Sequence, residues 1–244
     1  KKASDIFLSI GAPINIKING LAMPVNQTIL TASAVQTLLY EVLNEHQVRE
    51  FEEELELNTA YTLEGVGTFR ISAFRQKGTP AVVVRFIPGS VPPLDSLGLP
   101  PVLKEIVMQK RGLILMVGAT GSGKSTSLAA MIDYRNAEKS GHILTLEDPV
   151  EFIFKNRKSI VNQREVGTDT KAFQTALKNA LRQAPDVLLI GEIRDRETMS
   201  MALQYAQSGH LAMATLHANN SYHAMNRIIS FYPLEHRPTL LLHL

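Results

Sequence analysis

The first part of the chain alternates between apolar and polar side chains. Residues 14–19 alternate strictly, which is typical of a half-buried strand. Asn19-Gly20 then predicts a tight hairpin turn, so residues 21–25 should return as the partner strand. Two further strands are predicted over residues 68–76 and 81–87, on either side of a turn that contains Gly and Pro. These patterns predict an antiparallel sheet.

A helix is predicted after the first hairpin. Thr31 or Ser33 can cap its amino end, because a hydroxyl accepts hydrogen bonds from the first turn of a helix. Its apolar face recurs at helical spacing at Val35, Leu38, Leu39, Val42 and Leu43. The acidic run over residues 50–56 is interpreted as a solvated helix face. Together with the strands, this predicts a small α+β domain over residues 1–88.

The pattern changes after residue 88. Proline and glycine concentrate in residues 89–101, which predicts an interdomain linker because proline restricts the backbone and lacks a donor. From residue 102 to residue 244, apolar runs alternate with helical patterns, which favours a parallel α/β sheet. Strands are predicted over 113–117, 142–146, 187–190 and 211–216, and helices over 124–137, 170–183 and 196–208, with Gly141 and Gly209 as stops.

Composition adds limits to this picture. The 244 residues are 45% hydrophobic and 20% charged, as in an ordinary globular protein, and the net charge of +2 gives no reason to expect nucleic acid binding. There is no cysteine, which excludes disulfides and cysteine-ligated metals within this stretch. No apolar run reaches the ~20 residues of a membrane span, so direct insertion is not expected. The chain begins at Lys1 rather than Met and ends within a helical pattern, so further residues are expected on both sides.

The strongest chemical signal is GATGSGKST, between the predicted strand 113–117 and the predicted helix 124–137. A glycine-rich loop between a strand and a helix is the context of a phosphate-binding P-loop, in which backbone N–H groups surround an anion. Lys124 is expected to reach the β- and γ-phosphates, and the Ser125 hydroxyl to bind Mg²⁺. The predicted cofactors are therefore ATP and Mg²⁺. The candidate binding residues are Gly118, Ala119, Thr120, Gly121, Ser122, Gly123, Lys124, Ser125 and Thr126.

Carboxylates supply the candidate catalytic groups. Glu192 follows an apolar strand and a glycine, the expected form of a second nucleotide motif that places an acid beside Mg²⁺. The alternative is an ordinary glutamate at a strand end. Glu147, Asp148 and Glu151 cluster after the strand 142–146, and one of them could hold the attacking water. Spacing alone favours this no more than a solvated acidic turn.

Other side chains are weaker candidates. His210 and His217 flank the apolar strand 211–216, and from chemistry alone both are more readily explained as structural residues. Arg70 and Arg85 lie on predicted strands of the first domain. Such arginines are usually only solvated, but they could stabilise transition-state charge if this domain closes over the nucleotide.

The motifs GATGSGKST, LTLEDPVEF, VNQREVG, PDVLLIGEIRD and GHLAMATLHANN, in this order, resemble those of the type IV pilus retraction ATPases. The resemblance is to the PilT/PilU type within the secretion ATPase superfamily. It covers nearly the whole chain, including ASDIFLS at residues 3–9, and LHANN together with ALKNALRQAPDVLLIGE favours the PilU type.

The resemblance implies a PAS-like N-terminal domain joined to a RecA-like P-loop ATPase domain, assembled as a hexameric ring. It implies that Glu151, rather than Glu147, is the catalytic glutamate and that Glu192 is the Walker B acid. It also implies that His210 and His217 sense the nucleotide, which reverses their interpretation as structural, and that Arg70 and Arg85 are the arginines of the N-terminal domain.

The function implied is an ATP-driven motor for pilus retraction and twitching motility. It would be cytoplasmic and held at the inner membrane by a platform protein of the pilus, with a paralogous retraction ATPase as a further expected partner. A type II secretion or pilus-assembly ATPase, and an ATP-binding accessory subunit, remain alternatives. A nucleic-acid motor would need a basic groove with aromatic side chains, which 6% aromatic content, no tryptophan and no basic run disfavour.

Overall fold

A computed structural model describes residues 3–63, 66–88, 90–242 and 244. The chain divides into two compact units, Lys1–Gly89 and Ser90–Leu244. Of the predicted linker, Gly89 lies outside the described residues, and the remainder belongs to the second unit. Leu94–Leu97 form a short 3₁₀ turn there, and Leu94 is buried in that unit's core.

The first unit is an antiparallel sheet with two helices. Its strands are β1 (Asp5–Leu8), β2 (Asn15–Ile18), β3 (Leu21–Pro24), β4 (Glu56–Leu63), β5 (Gly67–Gln76) and β6 (Thr79–Pro88). The helices are α1 (Ala32–Tyr40) and α2 (Glu45–Glu54). The strand order is β3-β2-β1-β6-β5-β4. The predicted α+β character of this unit is therefore confirmed.

Local sequence explains the turns and caps of the first unit. Asn19 and Gly20 both have positive φ, as a two-residue turn between β2 and β3 requires. Lys77 and Gly78 do the same between β5 and β6, so the turn is shorter than the predicted one. Thr31 caps α1, since its hydroxyl accepts a hydrogen bond from the Ala34 N–H at 3.2 Å.

The two faces of this sheet differ. Helices α1 and α2 pack on one face, where they form an apolar core of buried residues that includes Leu39, Phe51, Ile71 and Val82. Side chains of successive strand residues point to opposite faces. The residues between the core positions therefore point to the other face, which Arg70 of β5 shares with Arg85 of β6.

The second unit is a parallel sheet with helices on both faces. Its strands are β7 (Gly112–Val117), β8 (Gly141–Glu147), β9 (Ser159–Glu165), β10 (Val187–Ile190) and β11 (Leu211–Leu216). Its helices are α3 (Val102–Val107), α4 (Lys124–Glu138), α5 (Phe173–Ala180), α6 (Arg196–Gln207), α7 (Ser221–Ser230) and α8 (Arg237–Leu241). The strand order is β7-β11-β10-β8-β9, with every pair parallel. The predicted α/β class is confirmed.

Two apolar layers enclose this sheet. One lies between the sheet and α5, α6 and α7, and the other lies under α4. The central strands β10 and β11 are buried along their whole length, which explains their continuous apolar sequences. Among the described residues, no helix combines the length and the apolar character needed to cross a membrane.

Several elements differ from the sequence-based expectation. Strands β1, β4 and β9 and helices α3 and α7 were not predicted, and α3 lies just after the predicted linker. Helix α5 begins at Phe173 rather than Thr170, because Thr170 forms a bridge with Val166 and its N–H bonds the Glu165 carbonyl. The four predicted strands of the second unit are all present.

Candidate nucleotide site

The glycine-rich loop connects β7 to α4 and is tightly folded. A side chain at Gly118 would require the loop to shift, because an added Cβ would lie 2.5 Å from Ser122 Oγ. Gly123 has a φ of 89° at the position just before α4, a conformation that favours glycine. The first turn of α4 therefore presents its N–H groups and the positive end of the helix dipole to the loop.

Lys124 is the first residue of α4 and is only 8% exposed. Its Nζ donates a hydrogen bond to the Ala119 carbonyl oxygen at 2.8 Å. A buried ammonium group held by a carbonyl within the same loop is placed to interact with an anion that enters the loop. This arrangement fits the predicted contact with phosphates.

A cleft of about 290 Å³ opens beside this loop. It lies at the carboxyl ends of β8, β10 and β11, the edge at which open α/β sheets bind ligands. The P-loop residues that line it are Thr120, Gly121, Lys124 and Ser125. Its other polar lining residues include Glu147, Asp148, Glu151, Glu192, Arg194, Thr215 and His217. Gly118 and Ala119 line a neighbouring cavity instead, which also contacts His217.

Glu192 lies on the wall of the cleft, with a side chain that is 24% exposed. The Arg194 Nε donates to one of its carboxylate oxygens at 2.8 Å, and the other oxygen lies 3.3 Å from His217 Nε2. Gly191 allows the strand end to approach β8, since an added Cβ there would lie 3.2 Å from the Leu146 carbonyl oxygen. Sequence analysis missed Arg194, although it lies only two residues after Glu192.

The two glutamates of the EDPVE segment have different surroundings. The Glu147 carboxylate accepts a hydrogen bond from the Thr145 hydroxyl at 2.7 Å and a long one of 3.4 Å from Gln163 Nε2. Burial raises the pKa of Glu147, and these hydrogen bonds only partly offset that effect. Glu151 is exposed in the cleft. Glu151 is therefore the more accessible of the two to a bound ligand.

The structure separates the two histidines. His217 follows β11 at its carboxyl end, where it contacts Glu192 in the cleft. His210 precedes β11 at the opposite end of the strand, where its Nδ1 lies 2.9 Å from Ser208 Oγ and its ring packs edge-on against Tyr205. The cleft thus includes His217 and not His210, so the predicted pair does not form a single site within the chain.

The two candidate arginines belong to the first unit. Arg70 and Arg85 are direct neighbours across β5 and β6, and Arg85 is also paired in register with Asp5 of β1. Arg85 Nε donates to the Asp5 carboxylate at 3.0 Å, while the Arg85 side chain stays 66% exposed. The pairing holds Arg85 in place and leaves it accessible.

Asp5→Asn is expected to lower the free energy of unfolding at pH 7 by about 1 kcal/mol. Burial alone would raise the pKa of Asp5, but hydrogen bonds from Arg85 and Ser4 and nearby positive charge lower it overall. A lowered carboxyl pKa contributes stability above the unfolded pKa, which is lost as the pH falls through the folded pKa. The variant should therefore depend less on pH below about pH 4.

Urea denaturation of both proteins between pH 7 and pH 3 measures this difference. Glu53→Gln, a change of an exposed carboxylate on α2, is the matched control and should behave as wild type. Equal pH dependence of the wild type and Asp5→Asn would contradict the assignment of this ion pair.

The residues present fit a magnesium ion that arrives with a nucleotide. Ser125 and Glu192, the two predicted ligands, line the same cleft. In the part of the chain that the structure describes, no group of three or more His, Cys, Asp or Glu side chains could hold a metal by itself. Magnesium typically uses one or two protein ligands together with phosphate oxygens and water.

Comparisons with known proteins agree with these features. The family model for type II/IV secretion system proteins matches residues 1–233. The chain is 51% identical to the type IV pilus ATPase PilU of Pseudomonas aeruginosa, over 96% of this chain and 62% of that protein. It is 43% identical to the type IV pilus retraction ATPase PilT of the same organism, over 96% and 68%. The chain thus spans about three fifths of the length of PilU.

Solved structures match over both units. The crystal structure of the pilus retraction motor PilT with bound ADP superposes with a TM-score of 0.94 at 43% identity, over 99% of this chain and 71% of that one. The ATPase DotB of Legionella pneumophila gives a TM-score of 0.86 at 28% identity, over 99% and 69%. An N-terminal domain followed by a RecA-like ATPase domain is therefore the fold of this chain.

Proposed function

Because this chain belongs to the family of type II/IV secretion system proteins, and within it to the pilus ATPases of the PilT/PilU type, we propose that it hydrolyses Mg²⁺-bound ATP to power pilus retraction. One observation carries the proposal: Lys124, Glu151 and Glu192 converge on a single cleft beside the P-loop. A positive side chain for phosphates, an exposed acid for water and a second acid for the metal are the parts that phosphoryl transfer needs.

Each side chain has a distinct role in this proposal. Lys124 turns from the Ala119 carbonyl to the β- and γ-phosphates, and the loop N–H groups bind the same anion. Ser125 and Glu192 would hold Mg²⁺, which would supply positive charge to neutralise the phosphates. Glu151 accepts a hydrogen bond from the attacking water and orients it. His217 contacts Glu192 and so links this acid to the end of β11.

The proposed assembly is a homohexamer in which domain movements accompany the nucleotide cycle. Arg70 and Arg85 are proposed to stabilise transition-state charge, since arginine fingers act from a second domain or subunit. The similarity to the pilus retraction motor PilT supports this assembly. A platform protein of the inner membrane would hold the ring at the cytoplasmic side, so no insertion by the chain itself is needed.

A second candidate is an ATP-binding accessory subunit that acts beside a paralogous retraction ATPase. The chain is more similar to PilU, whose name does not mention retraction, than to the retraction ATPase PilT, at 51% against 43% identity, which leaves this candidate open. A pilus-assembly or type II secretion ATPase is a third alternative, since the assembly ATPase PilB of Acinetobacter baylyi is 40% identical over 55% of this chain.

Steady-state phosphate release by the purified full-length protein tests the proposal. We expect Mg²⁺-dependent turnover that rises as the oligomer forms, at a rate on the order of 1–100 s⁻¹, the range of kinases, which also transfer phosphoryl groups. ATP binding without turnover, followed by turnover only when a paralogous ATPase is added, would favour the accessory subunit. Loss of all nucleotide binding would refute both.

A further inference from the structure

The segment that carries Glu151 has no regular secondary structure. It runs from Asp148, directly after β8, to Lys158, directly before β9. Val150 and Phe154 are each only 9% exposed, whereas Glu151 between them is exposed. A segment without its own helix or strand keeps one conformation only where its backbone groups find fixed partners.

Gln163 of β9 supplies such partners around Glu151. Its Oε1 accepts a hydrogen bond from the Phe154 N–H at 2.8 Å, and its Nε2 donates to the Phe152 carbonyl oxygen at 2.7 Å. The same Nε2 lies 3.4 Å from the Glu147 carboxylate. Both the donor and the acceptor side of one partly buried amide are therefore used on the segment that carries Glu151.

Glu165, two residues further along β9, adds a second attachment. One of its carboxylate oxygens accepts a hydrogen bond from the Val150 N–H at 2.9 Å. Residues two apart on a strand point to the same face, so Gln163 and Glu165 act on the segment from one side. Asn162, the residue before Gln163, pairs in register with Leu144, and its side chain contacts His142 instead. Gln163 and Glu165 therefore bond the segment that carries Glu151, whereas Asn162 bonds strand β8.

We propose that Gln163 is a positioning residue for the ATPase reaction: by bonding the backbone at Phe152 and Phe154, it keeps the Glu151 carboxylate in the nucleotide cleft. That the reaction is ATP hydrolysis rests on the proposed function. That Gln163 positions Glu151 rests on its hydrogen bonds to Phe152 and Phe154. Gln163 itself is not a lining residue of the cleft and acts through Glu151.

Gln163→Glu tests this in the full-length protein. The change keeps the shape of the side chain but replaces its N–H donors with an oxygen that faces the Phe152 carbonyl and the Glu147 carboxylate. Turnover should fall by about 10- to 100-fold, because a small displacement of a reacting group is costly. The dissociation constant for ATP should stay within about threefold, since the P-loop contacts do not involve Gln163.

Asn162→Asp is the matched control. It makes the same amide-to-acid change on the neighbouring residue of β9, whose side chain does not contact the 148–158 segment, and it should retain wild-type turnover. Amide hydrogen exchange should become faster within 148–158 in Gln163→Glu alone. In a Glu151→Gln background, Gln163→Glu should cause little further loss in single-turnover rate, because residues that act as a unit are not additive.

The outcomes separate this inference from the proposed function. Wild-type turnover no greater than that of Lys124→Ala would refute the proposed function, and the catalytic part of the inference with it. Active wild type with an unaffected Gln163→Glu would overturn only the inference. Three other results would also overturn the inference. They are a loss of single-turnover rate in the Glu151→Gln background as large as in the wild-type background, a loss of ATP affinity as large as the loss of turnover, and unchanged hydrogen exchange in residues 148–158.

Discussion

Lys124→Ala is expected to abolish phosphate release, lowering the rate by at least about a hundredfold relative to wild type. In the wild type, the first residue of α4 is Lys124, which places a positive charge at the loop. Its Nζ donates a hydrogen bond to the Ala119 carbonyl oxygen at 2.8 Å. Without it, charge that develops on the phosphates in the transition state loses its nearest fixed countercharge. Steady-state phosphate release at saturating ATP measures the effect.

Lys178→Ala is the matched control for this lysine substitution. Lys178 lies on α5, where its exposed side chain pairs with Glu197 at 3.0 Å, and it does not line the cleft. The control should therefore hydrolyse ATP at the wild-type rate. Unchanged turnover in Lys124→Ala would show that the loop is not the phosphate site.

Glu151→Gln is expected to slow turnover by at least about a hundredfold while ATP binding remains near wild type. The amide keeps the size of the side chain but is a much weaker acceptor for the proton or hydrogen bond of the attacking water. In the proposed function ATP is bound by the P-loop, which the substitution leaves intact. Turnover and equilibrium binding of a fluorescent ATP analogue, measured on the same preparation, separate the two effects.

Glu138→Gln, at the exposed end of α4, controls for the loss of one negative charge. A near-wild-type rate in Glu151→Gln would return the role of base to Glu147 or Glu192. Of those two, Glu147 has a pKa that burial raises, and its carboxylate accepts a hydrogen bond from Thr145. The Glu192 carboxylate accepts a hydrogen bond from Arg194.

The interior of the second unit was predictable because its strands are buried on both faces. Val187–Ile190 and Leu211–Leu216 were predicted with the bounds that the structure has, since continuous apolar runs bounded by polar residues or glycine have few other solutions. Edge strand β9 was missed, because its sequence, SIVNQRE, is polar along most of its length. Its side chains Gln163 and Glu165 form hydrogen bonds with the backbone of residues 150–154. Such contacts leave no periodic pattern of apolar residues in the sequence.

The site was predictable where a motif fixes local geometry. Lys124 and Ser125 are placed by their own loop and helix, so their position follows from the sequence around them. Glu151 and His217 were assigned by resemblance, and the structure brings both to the cleft. The separation of His210 from His217 follows from the length of the strand that they flank. The contacts of Gln163 and Arg194 depend instead on which strands are neighbours in the sheet. That order is set by long-range packing, which spacing along the chain does not reveal.

The strand order also has a consequence for synthesis on the ribosome. Strand β7, which leads into the P-loop, pairs within the sheet with β11, which comes after all the other described strands of this sheet in the sequence. Nascent chains that end before Leu216 therefore expose an apolar strand without its neighbour, the kind of surface that chaperones bind and that drives aggregation. Because His217 follows the same strand, the lining of the cleft is complete only after translation has passed this residue.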